Sequence, residues 1–76
     1  MRKHSVSIRG HATSFSLEDA FWDEIQNIAK IRKISLARLI AQIDESREPD
    51  ENLSSALRLC VLQHLKQTKT VDEQQT

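Results

Sequence analysis

The chain has one cysteine, one glycine and one proline among its 76 residues, and it has no tyrosine. A single cysteine, Cys60, excludes an internal disulfide and is typical of a reducing compartment. A single glycine, Gly10, excludes the glycine-rich loops that bind phosphate. No apolar run approaches the roughly 20 residues needed to cross a bilayer, and the basic residues 2–4 are not followed by the apolar core of a signal peptide. We therefore expect a cytoplasmic protein.

Residues that could carry chemistry are also few. The candidate soft metal ligands are His4, His11, His64 and Cys60, and they show neither Cys-x-x-Cys nor His-x₃₋₅-His spacing. The acidic residues gather at predicted helix starts and in one linker, where capping and solvation explain them. We therefore expect no cofactor, no metal site and no enzymatic activity. Cys60 should behave as a small buried hydrophobic residue.

The charges balance overall but not along the chain. A net charge of zero argues against indiscriminate binding of polyanions. Residues 1–40 hold seven Lys or Arg against four acidic residues, whereas residues 41–76 hold four against seven. This division predicts a module with one side that faces an anion. Random scatter of the charges is the alternative.

Residues 2–8 and 11–17 both alternate between polar and apolar side chains, which is the period of a half-buried strand. Arg9-Gly10 between them can form a two-residue turn. The register that this turn sets pairs Ile8 with His11, Val6 with Thr13 and His4 with Phe15. The opposite face then collects Lys3, Ser5, Ser7, Ala12, Ser14 and Ser16.

Three helices are predicted from apolar side chains at three- and four-residue steps. The first should span about residues 18–32, and Ser16 offers a hydroxyl near its start. The second should span about residues 35–45 with Ser35 as its N-cap. A polar linker at residues 44–51 holds the proline, and Asn52 then caps a third helix over about residues 53–66. We expect one domain over residues 1–67 and a polar tail at residues 68–76.

The third helix is apolar over more of its circumference than one contact needs. Its apolar side chains are Leu53, Ala56, Leu57, Cys60, Val61 and Leu65, with Leu59 and Leu62 on the flanks. Such a helix is usually buried on two sides. One strand with two short helices cannot enclose a core alone, so a second copy of the chain is the simplest remedy. The dimer core should consist of Phe15, Leu17, Trp22, Ile25, Leu36, Leu39, Ile40, Leu57 and Val61.

The order of these elements resembles the ribbon-helix-helix family of Arc/MetJ type, whose members are prokaryotic DNA-binding dimers. The residues that carry the resemblance are Thr13-Ser14-Phe15-Ser16-Leu17, then Phe21-Trp22 with Ile25, Ile28 and Ala29, and then Ser35 with residues 36–43. Residues 2–6, 10–11, 16–18 and 52–56 look like a small subgroup with an added N-terminal strand and a third helix. The resemblance implies a mainly α fold with a short β-ribbon, built as a ribbon-helix-helix dimer with an extra C-terminal helix.

The resemblance also implies a homodimeric transcriptional repressor whose antiparallel ribbon enters the major groove. Ser14 and Ser16 would face base edges. Arg9, or the arm at residues 2–4, would hold phosphates or reach a base. The DNA-binding residues that we expect are Arg2, Lys3, His4, Arg9, His11, Ser14, Ser16 and Ser35.

Three positions have a second interpretation. Family members usually carry glycine in the left-handed turn between the first two helices, and Lys33 stands there. A residue other than glycine tolerates that conformation with mild strain, and a differently built turn is the alternative. The helix that Ser35 begins typically lies against DNA phosphate in this family, although capping alone explains Ser35. Trp22 could stack on bases, but its helical spacing favours packing in the core.

Two alternatives follow from the same residues. Residues 3–8 could form an arm that orders only on DNA, or part of one uninterrupted long ribbon. The whole chain could be a dimeric protein-interaction module, like an antitoxin that holds a partner protein at its third helix. The broad third helix and the neutral net charge favour this module, whereas the basic, acid-free first seventeen residues favour DNA.

Overall fold

Two strands and three helices follow one another in the predicted order. The computed structural model describes the backbone of residues 1–74 and the side chains of residues 1–67. Its elements are β1 (Arg2–Ile8), β2 (His11–Leu17), α1 (Asp19–Arg32), α2 (Leu36–Ser46) and α3 (Leu53–Gln74). The predicted mainly helical fold with a short ribbon and an extra C-terminal helix is confirmed. Helix α3 extends beyond its predicted end at residue 66, so residues 68–74 of the predicted tail are helical, while residues 75 and 76 lie outside the described part.

Strands β1 and β2 form an antiparallel hairpin within one chain, in the predicted register. Arg9 and Gly10 have φ angles of 53° and 79°, as the two central residues of a type I′ turn require. Gly10 adopts this conformation freely, whereas the Cβ of Arg9 makes it mildly strained there. Residues 2–8 are therefore a hairpin strand, and β1 is the partner that β2 needs.

Helix α1 has nearly its predicted bounds, but its N-terminal cap differs from the expectation. Its N-cap is Glu18, with no side-chain capping bond, and Ser16 belongs to β2. At the other end Lys33 adopts the left-handed conformation, with φ 58° and ψ 42°. The Lys33 amide donates to the Lys30 carbonyl and the Ile34 amide to the Ala29 carbonyl, both at 3.1 Å. This is the Schellman arrangement that usually uses glycine, so the turn has the family's usual geometry with a lysine in it.

The caps of the other two helices are as predicted. The Arg38 amide donates to Ser35 Oγ at 3.1 Å, and the Ser55 amide donates to Asn52 Oδ1 at 2.8 Å. The linker between these helices is held by Arg47, which donates to Asp44 Oδ1 at 2.7 Å and to the Glu51 carbonyl at 2.6 Å. Local hydrogen bonds thus fix where α2 and α3 begin.

The core lies between one face of the hairpin and the three helices. Its buried side chains are Ile8, Phe15, Leu17, Ile25, Ile28, Ala29, Leu39, Ile40, Ile43, Leu53, Ala56, Leu57 and Val61. Among the described side chains, no polar or charged residue is buried. One chain therefore encloses a core of its own, because β1 and α3 supply the layers that one strand and two helices lack.

Helix α3 is covered on one side only. Leu59, Leu62 and Leu65 lie 46%, 50% and 40% exposed, and we call them the α3 leucine face. The two-sided burial expected for this helix is not reached within one chain. An exposed row of leucines on a small domain usually marks an interaction surface.

Candidate nucleic-acid interface

The outward side of the hairpin carries short polar side chains and one cation. We call this side the outer ribbon face, and its residues are Lys3, Ser5, Ser7, Ala12, Ser14 and Ser16. All are exposed except Ser16, which is half-buried. Ser5 Oγ and Ser14 Oγ lie 3.1 Å apart across the strands and share a hydrogen bond. Short side chains allow the ribbon to approach a ligand closely, and each hydroxyl can both donate and accept a hydrogen bond.

The inward side of the hairpin holds an aromatic cluster. The His4 ring stacks on Trp22 with centroids 3.8 Å apart and planes 9° apart, and Phe15 lies 5.9 Å from Trp22. His4 Nε2 is buried without a hydrogen-bond partner. The structure therefore does not bring His4 to the outer ribbon face with Ser14. Trp22 packs against the core as expected.

The cations of the hairpin lie at its two ends. Arg2 Nε is 3.4 Å from Asp19 Oδ1 at the start of α1. Arg9, in the turn, pairs with Glu45 near the end of α2. Lys3 makes no ion pair in the described part of the chain, and it points outward with the serines. His11 is exposed beside the turn, and its position in β2 gives it the parity of the inward side.

The base of the hairpin is fixed by contacts that the sequence did not predict. Ser54 Oγ donates to the Ser16 carbonyl at 2.7 Å. Arg58 binds Glu18 with two hydrogen bonds, Nε to Oε1 at 2.9 Å and Nη2 to Oε2 at 3.2 Å. The Arg58 guanidinium, by hydrogen bonding to the carboxylate, lowers the pKa of Glu18 below its ordinary value of 4.5. Helix α3 thus anchors the strand that leads into α1.

The start of α2 is a separate basic corner. Ser35 Oγ caps the Arg38 amide, while Arg32 and Lys33 beside it are exposed. Other amides of the first turn have no partner within the helix, which suits an anion. Across the described residues, no hydrogen bond or ion pair connects this corner with the outer ribbon face.

The residues expected in a dimer core lie inside the single chain. Seven of them belong to its buried core: Phe15, Leu17, Ile25, Leu39, Ile40, Leu57 and Val61. Trp22 and Leu36 are partly buried and pack against that core. A contact with a second copy would therefore involve other side chains, or the exposed parts of Trp22 and Leu36.

Groups with metal-binding or nucleophilic chemistry are dispersed. Over residues 1–67, no three His, Cys, Asp or Glu side chains are close enough together to hold a metal ion. Burial raises the pKa of the Cys60 thiol, and the positive charge of Arg32 opposes this shift more weakly. None of the described helices is both long and apolar enough to cross a membrane.

Comparison with known families agrees with this arrangement. A family model described as a ribbon-helix-helix domain matches residues 1–65, which include the whole hairpin, α1, α2 and the first half of α3. No curated protein and no solved structure gives a significant match to the chain. The match includes β1 and the start of α3 as well as the shorter segment that the residue pattern covers.

Proposed function

This chain belongs to the ribbon-helix-helix family, a family of DNA-binding regulators, and we propose that it is a homodimeric, sequence-specific repressor of transcription. The observation that supports this most directly is the outer ribbon face, which is exposed except at the half-buried Ser16 and is free of acidic side chains. A two-stranded antiparallel ribbon fits the major groove of B-DNA. Binding to cellular DNA would place the protein in the cytoplasm of a prokaryote.

The proposed contacts divide into two kinds. Ser14 and Ser16 on β2 would meet base edges, where a hydroxyl can donate to or accept from several bases. Ala12 beside them offers a methyl group for contact with thymine. Lys3 would neutralise a phosphate, as would Arg9 at the turn, and phosphate contacts position a protein without reading sequence.

The start of α2 is proposed as a further phosphate site. Ser35 is exposed and caps the first turn of the helix at the Arg38 amide, and the exposed Arg32 and Lys33 add positive charge beside it. Helix amides and the helix dipole favour an anion at such a place. Ser35→Ala tests cap and phosphate together, whereas Ser35→Glu keeps part of the cap and repels phosphate. Unchanged DNA affinity in both variants would remove this corner from the interface.

The α3 leucine face supports the homodimer. Because β1 completes the hairpin within one chain, the lone-strand argument for a second copy no longer applies. The three leucines at three-residue steps still expose an apolar stripe that a second α3 could cover. Sedimentation equilibrium of Leu62→Ala against Asn27→Ala measures this directly. Only the Leu62 variant should weaken the dimer, since Asn27 is an exposed residue of α1 and does not belong to the α3 leucine face.

DNA binding is tested by selecting bound sequences from random duplexes at a stated salt concentration, because phosphate contacts make affinity salt-dependent. Recovery of a shared sequence, with twofold symmetry if two copies bind, is the expected result. Asn27→Ala is a matched control, because Asn27 is exposed on α1, outside the outer ribbon face. Recovery of random sequence alone would contradict specific binding.

The second candidate function is a protein-interaction module of the same fold, which the α3 leucine face also favours. In that case the leucines would hold a partner protein of a different sequence. A folded monomer at micromolar concentration that binds no duplex would favour this candidate. A dimer that Leu62→Ala dissociates would instead assign the face to a second copy.

A further inference from the structure

Two of the three cations in the first seventeen residues are held by carboxylates from the helices. Arg2 pairs with Asp19 at the start of α1, at 3.4 Å, and Arg9 pairs with Glu45 near the end of α2. The pairs lie at opposite ends of the hairpin. All four side chains remain more than half exposed, from 55% for Glu45 to 76% for Arg2. They can therefore exchange partners without opening the core.

A guanidinium group binds carboxylate and phosphate through the same planar donors. While Glu45 Oε1 pairs with Arg9 Nη2, a DNA phosphate cannot bind that nitrogen in the same way. Once a phosphate has replaced Glu45 at Arg9, the Glu45 carboxylate lies beside the negative charge of the phosphate and repels the phosphate. Each acid therefore opposes DNA twice, first as a competitor and then as a repelling neighbour.

We propose that Glu45 and Asp19 are built-in competitors of DNA phosphate, which Arg9 and Arg2 must release before they bind the duplex. This inference rests on the proposed DNA-binding function and adds a control on its strength. The competition weakens binding to every sequence alike, because phosphates carry no sequence information. The competition lowers the affinity for non-specific DNA and leaves the base contacts of the serines unchanged.

The two ion pairs also relate the zero net charge of the chain to DNA binding. The cations before residue 18 are a potential phosphate-binding set, and two of the three are neutralised within the fold. Exposed ion pairs of this kind contribute little to folding stability. Their loss should therefore change DNA affinity more than it changes the stability of the protein.

The experiment compares Glu45→Gln and Asp19→Asn with the matched controls Glu48→Gln and Asp23→Asn. Each variant removes one negative charge, and the controls are exposed acids that make no ion pair in the described part of the chain. Affinity is measured on the selected duplex and on a scrambled duplex over a series of salt concentrations. Thermal melting of each variant confirms that the fold is kept.

We expect Glu45→Gln to bind both duplexes roughly fivefold more tightly than Glu48→Gln does, with the larger gain at low salt. The slope of log affinity against log salt should steepen by up to about one phosphate equivalent, because Arg9 then meets DNA without a partner to release. Asp19→Asn should follow the same pattern with a smaller gain, since its pair with Arg2 is long.

A second comparison separates competition from a general charge effect. In an Arg9→Ala background, Glu45→Gln should give no more gain than Glu48→Gln, because no guanidinium is left to release. Equal gains for Glu45→Gln and Glu48→Gln in the original chain would overturn the inference while the proposed function stands. If neither the original chain nor any variant binds either duplex, the proposed function fails and the inference fails with it.

Discussion

The two sides of the hairpin are made from the same two strands, yet they present opposite chemistry. On the inward side Phe15 and Leu17 are 5% and 0% exposed and pack on the helices. On the outer ribbon face the one side-chain hydrogen bond among the described residues joins Ser5 and Ser14. Because successive residues of a strand point to opposite faces, the inward side can determine stability while the outward side determines what the hairpin binds.

The largest effect is expected on the inward side, from Leu17→Ala. Leu17 is fully buried at the end of β2, so its truncation leaves a cavity in the core between the hairpin and the helices. Such a change costs about 2–5 kcal/mol of unfolding free energy, which is a large fraction of the stability of a domain this small. Urea denaturation measures the loss.

The matched control for this change is Ser7→Ala, on the outer ribbon face of β1. Ser7 is exposed, and its hydroxyl makes no hydrogen bond within the described residues, so the unfolding free energy should change by less than about 0.5 kcal/mol. Similar losses for Leu17→Ala and Ser7→Ala would show that the outward side is covered, and the contrast between the two sides would disappear.

Local chemistry made the inward side predictable. The alternation of residues 2–8 and 11–17, joined by a two-residue turn, fixes the register, and that register alone separates the serines from Phe15 and Leu17. The caps Ser35 and Asn52 were predictable for the same reason, since each bonds an amide three residues away. The end of α3 was not, because Lys and Gln favour helix without an apolar stripe to reveal it.

The two strands of the hairpin are joined by the turn at its tip. Arg9→Asn tests how much the strained conformation of Arg9 in this turn lowers the unfolding free energy. At φ 53° the arginine is strained, whereas Asn-Gly is the preferred pair for a type I′ turn. We expect Arg9→Asn to raise the unfolding free energy by about 0.5–1 kcal/mol. The substitution also removes the exposed ion pair with Glu45, and the small contribution of that pair is subtracted from the gain.

Arg9→Ala is the comparison, because alanine loses the ion pair and keeps the strain. It should be no more stable than the original chain in urea denaturation. If Arg9→Asn and Arg9→Ala were equally stable, turn strain would be negligible, and the ion pair alone would decide the behaviour of the tip.

The contacts that anchor the hairpin could not be derived from sequence. Ser54 and Ser16 are separated by 38 residues, and Arg58 and Glu18 by 40. No spacing rule links such positions, because only the packing of α3 beside β2 and α1 brings them together. Glu18 was predictable as an acid near a helix start, where the dipole favours it, but its partner was not. The left-handed conformation of Lys33 was one of two possibilities that the sequence left open, and the hydrogen bonds of the turn and the packing of Ile34 favour it.

Acid should weaken this anchor, with a small effect because the pair is partly exposed. The pKa of Glu18 is lowered in the folded chain, so its contribution is complete above the ordinary value of 4.5 and is lost as pH falls through the lowered pKa. Melting temperature should therefore decline less steeply in Glu18→Gln than in the original chain as pH falls from about 5 to about 3. Glu48→Gln, an exposed acid without an ion pair in the described residues, should keep the original slope.

The smallest effect on stability, and the most informative for function, is expected from Ser14→Ala on the outer ribbon face. Ser14 is exposed, and its hydroxyl meets Ser5 alone, so the unfolding free energy should change by less than about 0.5 kcal/mol. Loss of one base-edge hydrogen bond should nevertheless reduce the preference for the selected duplex over a scrambled one by roughly threefold to tenfold.

Lys3→Ala, on the same face, should lower the affinity for both duplexes equally and flatten the salt dependence by about one phosphate equivalent. If Ser14→Ala and Lys3→Ala lowered affinity equally on both duplexes, the serines would position the ribbon rather than read sequence. If neither changed binding, the outward side would not face DNA, and the protein-interaction function would be preferred.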